Sequence, residues 1–326
     1  MRIGELEPGS SNSIADVEGV RVGHATVWRD DPLARTGVTA IVPASLPLPA
    51  GVSVLNGAGE LTGSHEIREW GGLTTPVYLT STHAVGRVYD GAVALAVRDD
   101  PEVGVERFVI PVVGECDDSW LSDARTVHVT AEDVARAHDE ATAWPFTEGA
   151  VGAGTGMSCL GWKGGIGSAS RVAGDHVVGV LVLANYGAPR QLTIAGIPVG
   201  RELDPGGGRD YDAGSCIAVV ATDAPLSPPS LERIARRAGL GLARTGSVAH
   251  HGSGEIFLAF STRRGDLEGR GLDPLFEATV EATEEAVLNA LWAAPDVTGR
   301  AGHLERGLPH DEVLELLRAR GALSSR

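Results

Sequence analysis

The 326-residue sequence predicts an α/β layered sandwich, with helices packed outside stacked sheets. Three observations lead there. Short runs rich in Val and Ile recur along the whole chain, each bounded by Gly, Pro or Asn, as strands in sheets are. Segments of helical periodicity concentrate in the last third, so the order is not the strict alternation of a parallel fold. The 44 glycines, about twice the usual fraction, lie without a period between the apolar runs, which argues against a repeat architecture.

The strand candidates are Gly37–Pro43, Pro76–Thr82, Arg107–Val113, His176–Ala184, Ser215–Thr222 and Glu255–Ser261. The first helical signal, Thr130-Ala131-Glu132-Asp133, has capping-box form, in which the hydroxyl and the acid satisfy each other's backbone N–H groups. A short helix follows through Val134 and Ala137. Before the fifth strand, Arg201–Ala213 is polar and rich in glycine, suited to an exposed loop open to cleavage. Ser227-Pro228 supplies a cap and a first-turn proline, and Leu231, Ile234, Ala235, Ala238 and Leu242 then recur at helical spacing. Asp273-Pro274 repeats that start before an apolar stripe of Phe276, Val280, Thr283, Val287 and Leu291. A last helix runs from about Pro309 to Arg320 and stops at Gly321.

Composition bounds the function. With 43% hydrophobic and 21% charged residues the chain can bury a sizeable core, which excludes disordered and collagen-like classes. No window approaches 18 apolar residues, and Met1–Pro8 lacks the apolar centre of a secretory signal, so a cytoplasmic location is expected. Lys and Arg number 27 against 43 Asp and Glu, a net charge of −16 that repels phosphate backbones and anionic lipid. Neither nucleic acid nor a membrane is expected as a partner. Cys116, Cys159 and Cys216 show no C-x-x-C spacing, and the histidines (His24, His65, His83 and the pair His250-His251) show no ligand spacing, so no metal site is expected.

The chemistry-bearing stretch is Asp212-Ala213-Gly214-Ser215-Cys216-Ile217, where a polar loop ends in Gly-Ser and the serine opens a buried strand. Such a dipeptide is usually an ordinary turn before a strand. Here the hydroxyl could attack the preceding glycine carbonyl, form an ester by N-to-O acyl shift, and be released by water. The new N-terminal serine would carry a nucleophile and an amine together. Alternation puts Ser215, Ile217 and Val219 on one face and Cys216, Ala218 and Val220 on the other, so Cys216 belongs to the core. Ser253 and Glu255, two apart in Gly252-Ser253-Gly254-Glu255, share a strand face and could form a proton relay toward Ser215. Asn185 ends the run Val177–Ala184 and could donate to an oxyanion. Gly152–Gly156 and Lys163–Gly167 lack the strand–GxxxxGK[ST]–helix pattern of a phosphate loop and read instead as tight backbone packing around a pocket.

These residues, taken with motifs spread over nearly the whole chain, resemble the self-processing aminopeptidases of the L-aminopeptidase/D-esterase type, which include the β-peptidyl aminopeptidases. The motifs begin with Asn12–Val17, Gly19–His24 and Arg35–Ala40 and continue through Leu55–Gly63, Gly152–Met157, Lys163–Gly167 and Ala184–Gly187. Ala221–Leu226, Gly241–Gly246, Gly252–Phe257 and Glu285–Ala290 complete them in the same order. The resemblance implies a single catalytic domain over 1–326, cleaved between Gly214 and Ser215 into 1–214 and 215–326. It makes Ser215 the nucleophile, Asn185 the oxyanion donor, and Ser253 and Glu255 the assisting pair. It also implies a four-layer α/β/β/α sandwich like that of N-terminal nucleophile hydrolases, a tetramer of processed pairs, a small peptide or aminoacyl substrate and no metal or organic cofactor.

One departure stands out. Gly114–Asp123 contains no tyrosine, only Trp120, where the family contributes a pocket tyrosine, so the substrate side of the site is expected to differ. Two alternatives remain at this point. An acyltransferase of the ornithine-acetyltransferase type shares the self-cleaving layout but usually cleaves before threonine, and a non-catalytic binder could have kept the fold.

Overall fold

Apolar strands build two main sheets, beside two short two-stranded ones among the described residues, and each main sheet has two faces to cover. The computed structural model describes residues 3–206 and 213–323. Its first half contains β1 (Val20–Asp30), β2 (Leu33–Pro43), β3 (Leu48–Gly57), α1 (Ser64–Trp70), β4 (Gly72–Leu73), β5 (Val77–Ser81), α2 (Val85–Asp99), β6 (Val112–Cys116) and α3 (Ala131–Asp139). The second adds the short strands β7 (Ser158–Cys159) and β8 (Trp162–Lys163), then β9 (Gly165–Ala173), β10 (His176–Asn185) and β11 (Ala213–Thr222). Helix α4 (Pro228–Arg244), β12 (Gly252–Ser261), α5 (Asp273–Ala293) and α6 (His310–Ala319) follow.

The small sheet has the order β1-β2-β5-β6 and the large one β4-β3-β12-β11-β10-β9. Three apolar clusters show how they stack. Between the sheets, Leu181, Leu183, Ile217, Val219, Ile256 and Leu258 meet Val22, Ile41, Leu79 and Val112. On the outer face of the large sheet, Cys216, Ala218, Val220 and Phe257 meet Leu231 and Ile234 of α4 and Ala286 and Ala290 of α5. On the outer face of the small sheet, Ala40, Tyr78 and Val113 meet Val88 and Leu95 of α2 and Val134 of α3. Helix, sheet, sheet, helix: the chain is a four-layer α/β/β/α sandwich, and the two faces expected for the Ser215–Val220 strand are those found.

Local signals were obeyed unevenly. The Thr130 box forms, with Asp133 N–H donating to Thr130 Oγ1 at 3.3 Å and Thr130 N–H to Asp133 Oδ2 at 3.0 Å. Ser227 precedes α4 as expected, but its hydroxyl bonds Ser230 Oγ at 3.3 Å rather than a backbone N–H. The strand expected at 107–113 begins only at Val112, after Pro111, whose missing N–H cannot join a ladder. Strands β1, β3 and β9 and helix α2 were not anticipated. In β9, Gly165-Ile166-Gly167-Ser168-Ala169-Ser170-Arg171 is buried almost throughout although it looks polar. A Cβ at Gly167 would stand 1.9 Å from the Ala286 carbonyl oxygen, so glycine is what lets α5 lie directly on the sheet. Arg171 under that helix is neutralised by Glu281 at 3.1 Å and by Glu285. The expected stripe on α5 became burial nearly all round, because α4 flanks the helix while β9 and β10 lie beneath it.

Part of the loop expected to be open to cleavage, residues 207–212, lies outside the described residues. Among the described residues no helix is long and apolar enough to cross a membrane.

Candidate active site

The candidate residues converge at one end of the large sheet, where β11 starts, β12 starts and the antiparallel β10 ends. Strand β11 is central, paired with β10 on one side and in parallel with β12 on the other. Gly214 and Ser215 lie inside it. Ser215 Oγ donates to the Gly214 carbonyl oxygen at 2.7 Å, beside the carbon an acyl shift would require it to attack. A Cβ at position 214 would come within 2.4 Å of the Asn185 carbonyl oxygen, so only glycine fits before the serine.

Asn185 pairs directly with Ser215 across the ladder, which puts both side chains on the inter-sheet face. Its amide is held at both ends: Oδ1 accepts from Ser158 N–H at 2.8 Å, and Nδ2 donates to the Asp117 carbonyl at 2.9 Å. An amide nitrogen carries two donors, so one remains for a reacting oxygen.

Ser253 and Glu255 come together as expected, the hydroxyl donating to Glu255 Oε1 in a short hydrogen bond. They stand elsewhere relative to the serine. Parallel register sets Ser253 beside Gly214 and Glu255 beside Cys216, whereas Gly254 lies beside Ser215. The pair therefore occupies the helix-facing side, on the same side as Cys216 and Tyr186, and among the described residues neither hydrogen-bonds Ser215 Oγ. Glu255 is fully buried. Burial raises its pKa above the ordinary carboxylate range, the Ser253 hydroxyl pulling the other way. Its Oε2 has no hydrogen-bond partner among the described residues. Asn56 steadies this approach, donating to the carbonyls of His250 at 2.8 Å and Ser253 at 2.6 Å.

The thiols lie in the core. Cys116, Cys159 and Cys216 are free and buried, and burial raises all three, Cys159 to about 12. Lys163, in the stretch read as tight packing, is fully buried. His24 also lies inside the fold, bonded to Thr39 Oγ1 at 2.9 Å, and burial lowers it to about 4. Among the described residues no group of three His, Cys, Asp or Glu could hold a metal ion.

Sequence reasoning missed the supports of Asn185. Ser158 acts through its N–H and Asp117 through its carbonyl, and backbone groups leave no residue signature. In the window that lacks tyrosine, Glu115 is buried, accepting from the Glu60 N–H at 2.9 Å and from Thr82, and burial raises its pKa. Asp117 is exposed at the strand end, and Trp120 stacks on His303 with ring centroids 3.6 Å apart.

Solved structures share this arrangement of layers. A Burkholderia sp. β-aminopeptidase superposes with a TM-score of 0.92 and 43% identity, over 98% of this chain and 97% of that one. The L-aminopeptidase D-Ala-esterase/amidase of Ochrobactrum anthropi, described as a variant of the Ntn hydrolase fold, gives a TM-score of 0.93 and 38% identity over 98% and 97%. The fold thus defines a hydrolase of the Ntn architectural class. The chain belongs to peptidase family S58, whose model matches residues 12–305. Beta-peptidyl aminopeptidase BapA of Sphingosinicella xenopeptidilytica is 41% identical over 97% of this chain and 89% of its own length. The protein is accordingly a hydrolase of the aminopeptidase and amidase type, and acyl transfer receives no support.

Proposed function

We propose that the protein cuts itself between Gly214 and Ser215 and then uses Ser215 to release N-terminal residues from short peptides, amino-acid amides or esters. The observation that carries this is the Gly214–Ser215 peptide itself: a serine hydroxyl beside its own preceding carbonyl, facing a carboxamide, in a family S58 chain. Attack of Ser215 Oγ on the Gly214 carbonyl carbon forms an ester as the C–N bond breaks and nitrogen takes up a proton. Water then cleaves the ester, giving 1–214 with a free carboxylate and 215–326 with a free α-amine. The two pieces stay together because β11 lies between β10 of the first piece and β12 of the second.

In turnover the same hydroxyl attacks the substrate carbonyl and its proton passes to the α-amine, whose reference pKa is about 7.7–8.0. Asn185 Nδ2 stabilises the oxyanion. Ser253 and Glu255 serve the amine rather than the hydroxyl. Once Gly214 departs, the new terminus opens beside Ser253, and Glu255 Oε2 is a buried acceptor without a hydrogen-bond partner among the described residues. Asp117, exposed at the strand end with its carboxylate accepting from Ser119 and its backbone carbonyl on Asn185, is the candidate to receive the substrate's ammonium group. Two of the relatives named above are β-aminopeptidases, so β-aminoacyl substrates belong in the panel beside α-aminoacyl ones. The same reading expects a tetramer of processed pairs in the cytoplasm, which light scattering and fractionation test.

The deciding experiment compares kcat/KM for a free aminoacyl amide with its N-acetyl analogue. A strong preference for the free amine is expected; equal rates would make the enzyme a general amidase.

A further inference from the structure

Lys163 is the least expected side chain in the fold. It is fully buried in a chain of net charge −16, and among the described residues its Nζ makes no hydrogen bond to a carboxylate. It donates to three backbone carbonyls: Gly154 at 2.9 Å, Met157 at 2.6 Å and Gly164 at 2.7 Å. Three acceptors use all three N–H bonds of an ammonium group, so nothing is left for a phosphate or any other ligand. Such a charge is costly to bury; desolvation lowers its pKa, against the pull of Glu305, and three carbonyl acceptors favour the ammonium form.

What the lysine holds connects it to the site. The Met157 carbonyl and the Ser158 N–H belong to one planar peptide group, and in a trans peptide they point in opposite directions. On one side that group accepts from Lys163; on the other it donates to Asn185 Oδ1 at 2.8 Å. The chain of contacts is Lys163 Nζ–H, Met157 C=O, Ser158 N–H, Asn185 Oδ1, with Asn185 Nδ2 at its far end. Hydrogen bonds in series polarise one another. A cation on the carbonyl sharpens the Ser158 N–H as a donor, and electron density drawn through Oδ1 sharpens Nδ2 as a donor in turn. The bond from Lys163 and a second from the Gly164 N–H at 3.0 Å, both to the Met157 carbonyl, pin the peptide plane, and with it the direction of the asparagine amide.

We propose that Lys163 is a positioning residue for the oxyanion site, acting through the Met157–Ser158 peptide to aim and polarise Asn185. This deepens the functional reading above and rests on its assignment of Asn185. The lysine touches neither substrate nor reacting atoms; its contribution is to transition-state stabilisation and not to substrate binding.

The test uses Lys163→Met, Lys163→Gln, Ser158→Pro, Asn185→Ala and the double variant Lys163→Met/Asn185→Ala. Ser158→Pro removes the connecting N–H while leaving the lysine and its carbonyls in place. Met157, at φ −85° and ψ 148°, already has the extended conformation a following proline demands. Each variant is read in two ways: the half-time of conversion into 1–214 and 215–326 by intact mass, and kcat and KM of the processed enzyme. Lys163→Met and Ser158→Pro should each slow both reactions roughly tenfold to a hundredfold with KM unchanged, less than the 10²–10³ of losing an oxyanion donor outright. Lys163→Gln, with two donors and no charge, should fall between Met and wild type. In the Asn185→Ala background Lys163→Met should cost nothing further in whichever of the two rates remains measurable. Multiplicative losses there would show a merely structural lysine and overturn the proposal. Full rates in Ser158→Pro would do the same, and that variant decides the matter should Lys163→Met fail to fold. If Asn185→Ala itself keeps wild-type rates, the oxyanion assignment falls; if only the lysine and proline variants do, that assignment stands and this inference alone fails.

Discussion

On the inter-sheet face of the large sheet, Ser215 sits opposite Asn185, whose amide is gripped by Ser158 and Asp117. On the helix-facing side of the same sheet end, Ser253 and Glu255 bond each other among Cys216 and Tyr186. One face carries donors and a distant cation; the other carries a buried acid with an oxygen that has no hydrogen-bond partner among the described residues. The difference follows from a strand's period of two. A nucleophile that supplies both hydroxyl and amine lets the two faces divide the work. On the proposed mechanism the hydroxyl and oxyanion belong to one side, and the proton traffic of the amine belongs to the other.

The sharpest way to break this picture is to remove the group both faces serve. Ser215→Ala should leave one uncut 326-residue chain and abolish turnover, a loss on the order of 10⁶-fold as for other essential serine nucleophiles. A cut at 214–215 in that variant would mean the acyl shift is not the processing step. Next in size is the helix-facing pair. Glu255→Gln or Ser253→Ala should lower kcat by about 10²–10⁴-fold, the range proton-transfer assistance supplies. Wild-type turnover in a folded, processed Glu255→Gln protein would remove that face from the mechanism.

Asn185→Ala should cost about 10²–10³-fold in kcat with KM little changed. Unlike Glu255→Gln it should leave the shape of the pH profile alone, because an amide does not titrate. That contrast sharpens the comparison. The smallest effect is a shift along the pH axis. The wild-type rate should rise from mildly acidic pH toward about 8 as the α-amine, of reference pKa about 7.7–8.0, loses its proton. A carboxylate beside an ammonium group favours the charged form. Removing it in Glu255→Gln should therefore move the acid limb of the residual activity to lower pH. A limb that stays put would place Glu255 out of electrical contact with the amine.

Much of this was legible before any coordinates. Chemical groups with few roles announce themselves: a Gly-Ser ahead of a buried strand, an asparagine at a strand's end, and a serine and an acid two residues apart. Their order along the chain carried the family resemblance, and the period of two assigned Cys216 to the core. The capping box at Thr130 was a local signal, complete within four residues, and it held; the prolines of α4 and α5 mark the helix starts as expected, but neither Ser227 nor Asp273 forms a side-chain cap. Strand β9 was different. Its small polar residues looked like a loop because nothing local says that Gly167 will meet α5, more than a hundred residues away.

Only the tertiary structure could decide which face met which partner. Alternation along β12 says that Ser253 and Glu255 share a side, but the register between β11 and β12 sets that side opposite to Ser215. That register is fixed by packing of whole sheets, not by any dipeptide. The same holds for Lys163. In the sequence it is a cation among glycines, and only the fold turns it inward onto three carbonyls, because backbone groups are the one set of partners that a string of side chains does not display.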